Sequence, residues 1–157
     1  MSYVEKVLQP NETVKHTGGI HWIVYVPGAI FVILAVAAYL FGGLIVPPGW
    51  ASAESWPTAV AAALFIIALY LLLGAWFSRW TTELAITDKR IIFKRGFIRR
   101  HTIEMNMDKI ESVDVDQSIL GRMFNYGDIT VRGTGTGLEP LKDIDDPIQF
   151  RNHVTAR

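Results

Sequence analysis

The sequence predicts an α+β membrane protein: a transmembrane two-helix hairpin joined to a small antiparallel sheet domain with a C-terminal capping helix. Three observations predict it. Half of the 157 residues are hydrophobic, and mean hydropathy is positive, which exceeds an ordinary soluble domain unless the excess is concentrated. It is concentrated in two runs, 20–46 and 57–77, that contain no Asp, Glu, Lys or Arg. From Thr81 onward the apolar spacing changes from helical to alternating.

Residues 1–19, with "VEKVLQPNETVKHTG", form an N-terminal segment expected to add a helix turn and a strand to the downstream domain. The 77 residues after Trp80 are few for a self-standing core, because small domains bury a lower fraction of their surface. Residues 20–46 and 57–77 each meet the requirement of about 20 apolar residues for crossing hydrocarbon. The first run is too long and begins too late for the h-region of a signal peptide. Trp22 and Tyr25, Trp50 and Trp56, and Trp76 and Trp80 lie at the ends of the runs, where aromatic rings anchor at headgroup level. The connecting loop, 47–56, has no Lys or Arg, whereas Lys6 and Lys15 precede the first run and thirteen basic residues follow the second. Both termini are therefore expected in the cytoplasm and the loop outside. Zero cysteines fit a reducing compartment without demanding one.

The runs carry no ion-path chemistry, since neither holds an acidic or basic residue. His21, beside Trp22, reads as an interfacial histidine. Gly42, Gly43 and Ala61 to Ala63 are small enough to let helices approach closely, and Pro27 falls near a helix start.

Residues 78–157 form the second, cytoplasmic part. "TELAIT", "ESVDVD" and "DITVR" place Leu84 with Ile86, Val113 with Val115, and Ile129 with Val131 on single strand faces. Gly96, Tyr126-Gly127 and "RGTGTGLEP" supply turns. Pro147 opens a last helix to about Val154, with Asp145 or Asp146 as its cap.

Catalytic motifs are missing. There is no cysteine nucleophile, no H-E-x-x-H and no phosphate loop ending in Lys and Ser or Thr. "GTGTG", 133–137, has the wrong spacing for a dinucleotide fingerprint and reads as a hairpin turn. "DIDD", 143–146, lacks the Gly and terminal Glu of a calcium loop and reads as a solvated turn and cap. The four histidines are scattered along the chain. No catalytic, cofactor-binding or metal residue is assigned, no cofactor is expected, and the chain is read as a non-enzyme.

Taken together, Thr87, Asp88 and Arg90 in a T-D-x-R turn, Gly96 in a basic strand, Ile110 and Val113, Leu120 to Arg122, and Tyr126 to Asp128 resemble a family. It is the bacterial pleckstrin-homology-like domains of the second kind, found in small two-span membrane proteins. Asn11-Glu12 and the membrane entry at His21 and Trp22 extend the resemblance to nearly the whole chain. It implies a PH-like fold, a seven-stranded bent sheet with one capping helix, in a membrane-tethered interaction module without a known reaction.

Charge is divided unevenly. Residues 79–107 carry seven basic and three acidic side chains, net +4, and residues 108–157 carry net −3. The positive half is the half joined directly to the second run. Lys94, Arg95, Arg99 and Arg100 are the residues expected to meet anionic lipid headgroups or a partner, each worth about 1 kcal/mol near an anionic leaflet. The competing reading pairs the basic residues of this segment with Glu104, Asp108, Glu111 and Asp114 on neighbouring strands. The expected function is a membrane-anchored, non-catalytic interaction module at the cytoplasmic face of a bacterial inner membrane, with membrane lipid and a protein as partners and no nucleic acid. The alternative is a structural or accessory subunit of a larger membrane complex, or a homo-oligomer, held through the two helices.

Overall fold

The computed structural model describes residues 3–44, 55–96, 101–134 and 140–155. The chain divides into two units, one of Met1–His21 with Ser78–Arg157 and one of Trp22–Phe77. In chain order the elements are α1 (Tyr3–Val7), β1 (Val14–Gly18), α2 (Val26–Phe41), α3 (Trp56–Thr81), β2 (Glu83–Thr87), β3 (Arg90–Arg95) and β4 (His101–Asn106). There follow β5 (Ile110–Asp116), α4 (Ile119–Phe124), β6 (Tyr126–Gly133), β7 (Leu141–Asp145) and α5 (Pro147–Thr155).

In the helical unit, 3-10 turns at Trp22–Tyr25 and Gly42–Leu44 extend α2 at both ends, giving apolar helices of 23 and 26 residues. At about 1.5 Å per residue, both are long and apolar enough to cross a membrane. Pro27 sits in the first turn of α2, where its missing N–H breaks no helical bond. The buried residues are small. Gly28, Ala35 and Gly42 recur every seven positions on one helix, and Ala61 and Ala68 do so on the other, which keeps each set on one face. A Cβ at Gly28 would lie 2.6 Å from Leu72 Cγ, so this approach requires glycine. The large side chains, among them Ile33, Tyr39, Ile66 and Tyr70, are exposed instead. A soluble core helix shows the opposite arrangement.

The other unit holds two antiparallel sheets, ordered β1-β2-β3-β4 and β5-β6-β7. Alternation places Leu84, Ile86, Ile91, Phe93, Ile129, Val131, Leu141 and Ile144 in one core cluster, which Phe150 and Val154 of α5 complete. Ile103 packs against it. The middle of the first sheet is buried on its second face too, at Ala85 and Ile92, and α1 packs on β2. Asp146 stands before α5, its carboxylate accepting the Gln149 N–H and its carbonyl the Phe150 N–H.

Three local readings change. The first apolar run was expected to turn helical at Ile20, but helix begins only at Trp22. Ile20 instead bridges to Ile144, and the His21 N–H donates to the Asp143 carbonyl, so residues 19–21 extend the second sheet beyond β7. Tyr126-Gly127 is no turn but the start of β6. The reversal before it is made by α4 and by Asn125 in the left-handed region at φ 59°. Gly127 is needed for close approach, since a Cβ there would meet the Asp116 carbonyl oxygen at 2.7 Å. Asp143 and Asp145 belong to β7, with Ile144 in the core between them, which leaves only Asp146 of "DIDD" as the cap. Residues 135–139 of the glycine-rich turn lie outside the described residues.

The scattered histidines are partly gathered. His16 of β1 stacks on His153 of α5, with ring centroids 4.6 Å apart and planes 17° from parallel. Burial lowers the His16 pKa from its ordinary value, and the neighbouring His153 lowers it further, against the opposing pull of Asp146. The folded state then holds fewer protons than the unfolded chain just below the ordinary value. This contact's contribution is therefore complete above about pH 6.5 and declines as pH falls below it. Amide exchange in α5, corrected for intrinsic rate, is expected to accelerate between pH 7.5 and 5.5. The acceleration should shrink in a His16→Phe variant, which keeps the stack without the charge. An equal acceleration in both would disprove this assignment.

Candidate functional site

Strand register sets one end of the α+β unit apart. Gly18 pairs with Leu84, so β1 ends where β2 begins, and the chain leaves this unit after His21 and rejoins it at Ser78, just before β2. Glu83, the first residue of β2, pairs with Lys94, and Arg95 pairs with His101, so β3 ends and β4 begins at this same end. Both connections to the apolar helices and the end of β3 at Arg95 are thereby gathered together.

Within that hairpin, alternation gives the basic residues different tasks. Arg90, Ile92 and Lys94 share one face of β3, and two of them hold α1 down. The Lys94 ammonium lies 3.0 Å from Glu83 Oε1 and 5.1 Å from the centre of the Tyr3 ring. Glu83 Oε2 accepts the Tyr3 N–H at 2.8 Å, placing negative charge at the start of α1. Arg90 donates to the Val7 carbonyl at 2.7 Å, placing positive charge at its end. Arg95, on the opposite parity and beyond the core, is exposed. Arg99 and Arg100 lie outside the described residues.

At the other end of β2, the T-D-x-R turn closes on the N-terminal segment. Glu12, its side chain 0% exposed, lies 2.9 Å from Arg90 Nη2, and Arg90 Nη1 reaches Glu104 at 2.6 Å. The Thr87 hydroxyl donates to Glu12 at 2.8 Å and accepts the Arg90 N–H at 2.9 Å. Asp88 accepts the Thr13 N–H at 2.9 Å. Burial alone would raise the Glu12 pKa. Hydrogen bonds from Arg90, the Gln9 N–H and Thr87, with the charge of Arg90, outweigh it and bring the carboxyl down to about 2.

A cleft of about 470 Å³ opens between the end of β5 and the start of β6, lined by Asp116, Ser118, Tyr126, Asp128 and Asp143 among others. Burial pushes the Asp143 carboxyl up, and the nearby Asp128 adds to this. Ser118 is committed as the cap of α4, its hydroxyl accepting the Gly121 N–H at 3.0 Å. Among the described residues, no group of three or more His, Cys, Asp or Glu is placed to hold a metal ion.

A family model for the bacterial PH domain matches residues 19–157. The chain belongs to the bacterial PH domain family. No curated protein and no solved structure matches it. The match begins after β1, yet the PH domain uses residues ahead of it: β1 pairs with β2, and Glu12 anchors Arg90.

Of the residues the sequence marks as contact candidates in this PH domain, Lys94 is largely covered and paired, and Arg95 is open. Trp22 and Tyr25 occupy the 3-10 turn before α2, Trp56 begins α3, and Trp76 and Trp80 lie in its last turns. Trp50 lies outside the described residues. Sequence reasoning quoted Glu12 and Arg90 as separate motif elements and missed their pairing. Their 78-residue separation hides it. It also assigned no helix to Ile119–Phe124, although Ser118 and Asn125 bracket that stretch with cap chemistry.

Proposed function

We propose that this PH domain is a non-catalytic binding module anchored in a bacterial inner membrane by its two apolar helices, with both termini cytoplasmic. Its basic hairpin tip then faces anionic headgroups. The observation that supports this reading is the gathering of both helix connections and the facing ends of β3 and β4 at one end of the sheet. Chain continuity through His21 and Ser78, without a long linker, then keeps that end close to the lipid. Arg95, Arg99 and Arg100 are the headgroup contacts, and Lys94 serves them indirectly by fixing the strand. Trp22, Tyr25, Trp50, Trp56, Trp76 and Trp80 act as interfacial anchors. The β4 strand, which ends its sheet among the described residues, is the surface for a protein partner.

Two measurements on the full chain test this. Cysteines introduced singly at Ser2 and Ser52 are expected to react oppositely with an impermeant reagent in intact cells, Ser52 labelling and Ser2 not. Labelling of Ser2 alone would reverse the topology. In nanodiscs, amide exchange over residues 95–101 is expected to slow when anionic lipid replaces zwitterionic lipid. Arg95→Gln, Arg99→Gln and Arg100→Gln together should abolish that difference, as should high salt, which screens exposed charge. Equal exchange in both lipids would remove headgroup contact and leave the hairpin to a protein. Stoichiometric copurification of a membrane protein that survives loss of β4 contacts would favour the accessory-subunit alternative.

A further inference from the structure

Helix α4 displays an apolar surface that the PH domain itself does not cover. Ile119, Leu120 and Met123 are 87%, 55% and 67% exposed, three of the helix's six residues. Single exposed apolar side chains are ordinary, but a contiguous set is not. Nor is this a frayed end. Six residues are too few to hold a helix in water by themselves. Here Ser118 caps the start, and Asn125, left-handed at φ 59°, caps the end through its N–H to the Gly121 carbonyl. The Gln117 amide donates to the Tyr126 carbonyl at 3.0 Å and ties the helix to β6. The fold thus holds these side chains outward.

Their location indicates what meets them. Tyr126 follows Phe124 by two residues, about 7 Å of chain. Its ring stacks on His21 with centroids 5.2 Å apart. His21 is the last residue before the apolar helical unit. The exposed helix is therefore pinned beside the point where the chain departs for that unit, and Arg122 adds a cation to its surface. Short segments with apolar side chains and a basic residue settle at the boundary between headgroups and acyl chains.

We propose that α4 is a membrane foot, with Ile119, Leu120 and Met123 inserted into the lipid interface and Arg122 at headgroup level. This rests on the membrane reading above and adds to it a second, apolar contact on a different element from the basic hairpin.

The chain has no cysteine, so single reporters can be placed cleanly. The full chain would carry Ile119→Cys, Met123→Cys, Ile66→Cys within α3 or Glu111→Cys on β5. Each variant would be labelled with an environment-sensitive fluorophore and diluted into vesicles of phosphatidylethanolamine and phosphatidylglycerol. Doxyl-labelled lipid is expected to quench positions 119 and 123 severalfold more than position 111, and aqueous iodide to quench them less. Quenching by lipid at 66 with none at 119 and 123 would overturn the foot while leaving the spans in the membrane. Absence of lipid quenching at 66 would overturn the membrane reading itself. Shielding of 119 from iodide without lipid quenching would assign α4 to a protein surface, and so also overturn the proposal.

Discussion

Replacing Arg90 by methionine is expected to lower the stability of the PH domain by about 3–5 kcal/mol at neutral pH, the cost of leaving a buried charge without its partner. Methionine keeps much of the packing volume but removes donors to Glu12, Glu104 and the Val7 carbonyl at once. Glu12 would remain buried with only Thr87 and the Gln9 N–H as donors. The pH dependence distinguishes this from a packing defect. In the native protein the Glu12 carboxyl titrates at about 2 rather than at its ordinary 4.5. Its contribution is therefore complete above pH 4.5 and is lost as pH falls toward 2. In Arg90→Met the lowering by Arg90 is gone, so the carboxyl protonates at a higher pH than in the native protein and the variant loses less stability as pH falls. The gap between the two proteins should narrow from pH 7 to pH 3. Hydrogen exchange of β2 and β3 amides is the suitable readout, because all five tryptophans lie in or beside the apolar runs and report poorly on this unit. A gap that stays constant with pH would show that Glu12 does not carry the effect.

Truncating Phe150 to alanine is the second large perturbation, expected to cost about 3–5 kcal/mol from lost transfer energy and the cavity left behind. Phe150 is fully buried in the cluster formed by both sheets, and its helix packs on β1, β5 and β6. Losing it removes the plug between the sheets rather than one contact on one of them. Since small domains have only about 5–15 kcal/mol in total, α5 should exchange its amides nearly as an unfolded segment while the β2–β3 pairing persists longest. Phe150→Leu should recover most of the loss, because it restores much of the volume. Equal protection of α5 in wild type and Phe150→Ala would mean that the cap is held from outside the core.

The two changes also separate what was legible in the chain from what was not. The apolar runs, the alternating strands and the Pro147 helix start could be read directly, because each depends on neighbouring residues and a fixed period of burial. α4 escaped because six residues are too short for any period to register, and its apolar side chains face outward, against the usual rule. Ile20 and His21 were absorbed into the first run because hydropathy cannot distinguish a residue in lipid from one paired to a sheet edge.

Sequence by itself determined the division into apolar helices and an antiparallel sheet unit, the bias of positive charge toward residues 79–107, and the stretch from which the hairpin is built. Each is a local or compositional property, carried by residue identity before any folding. Only the tertiary structure decided which basic residues remain available. Arg90 and Lys94 are turned onto α1 by strand alternation and by carboxylates from the segment before β1 and from neighbouring strands, while Arg95 falls past the edge of the core. It also joined Glu12 to Arg90 and stacked Tyr126 on His21, through antiparallel registers that bring together residues 78 and 105 positions apart. Pairings at that range are chosen by the packing of two sheets on one core, and no local pattern encodes them.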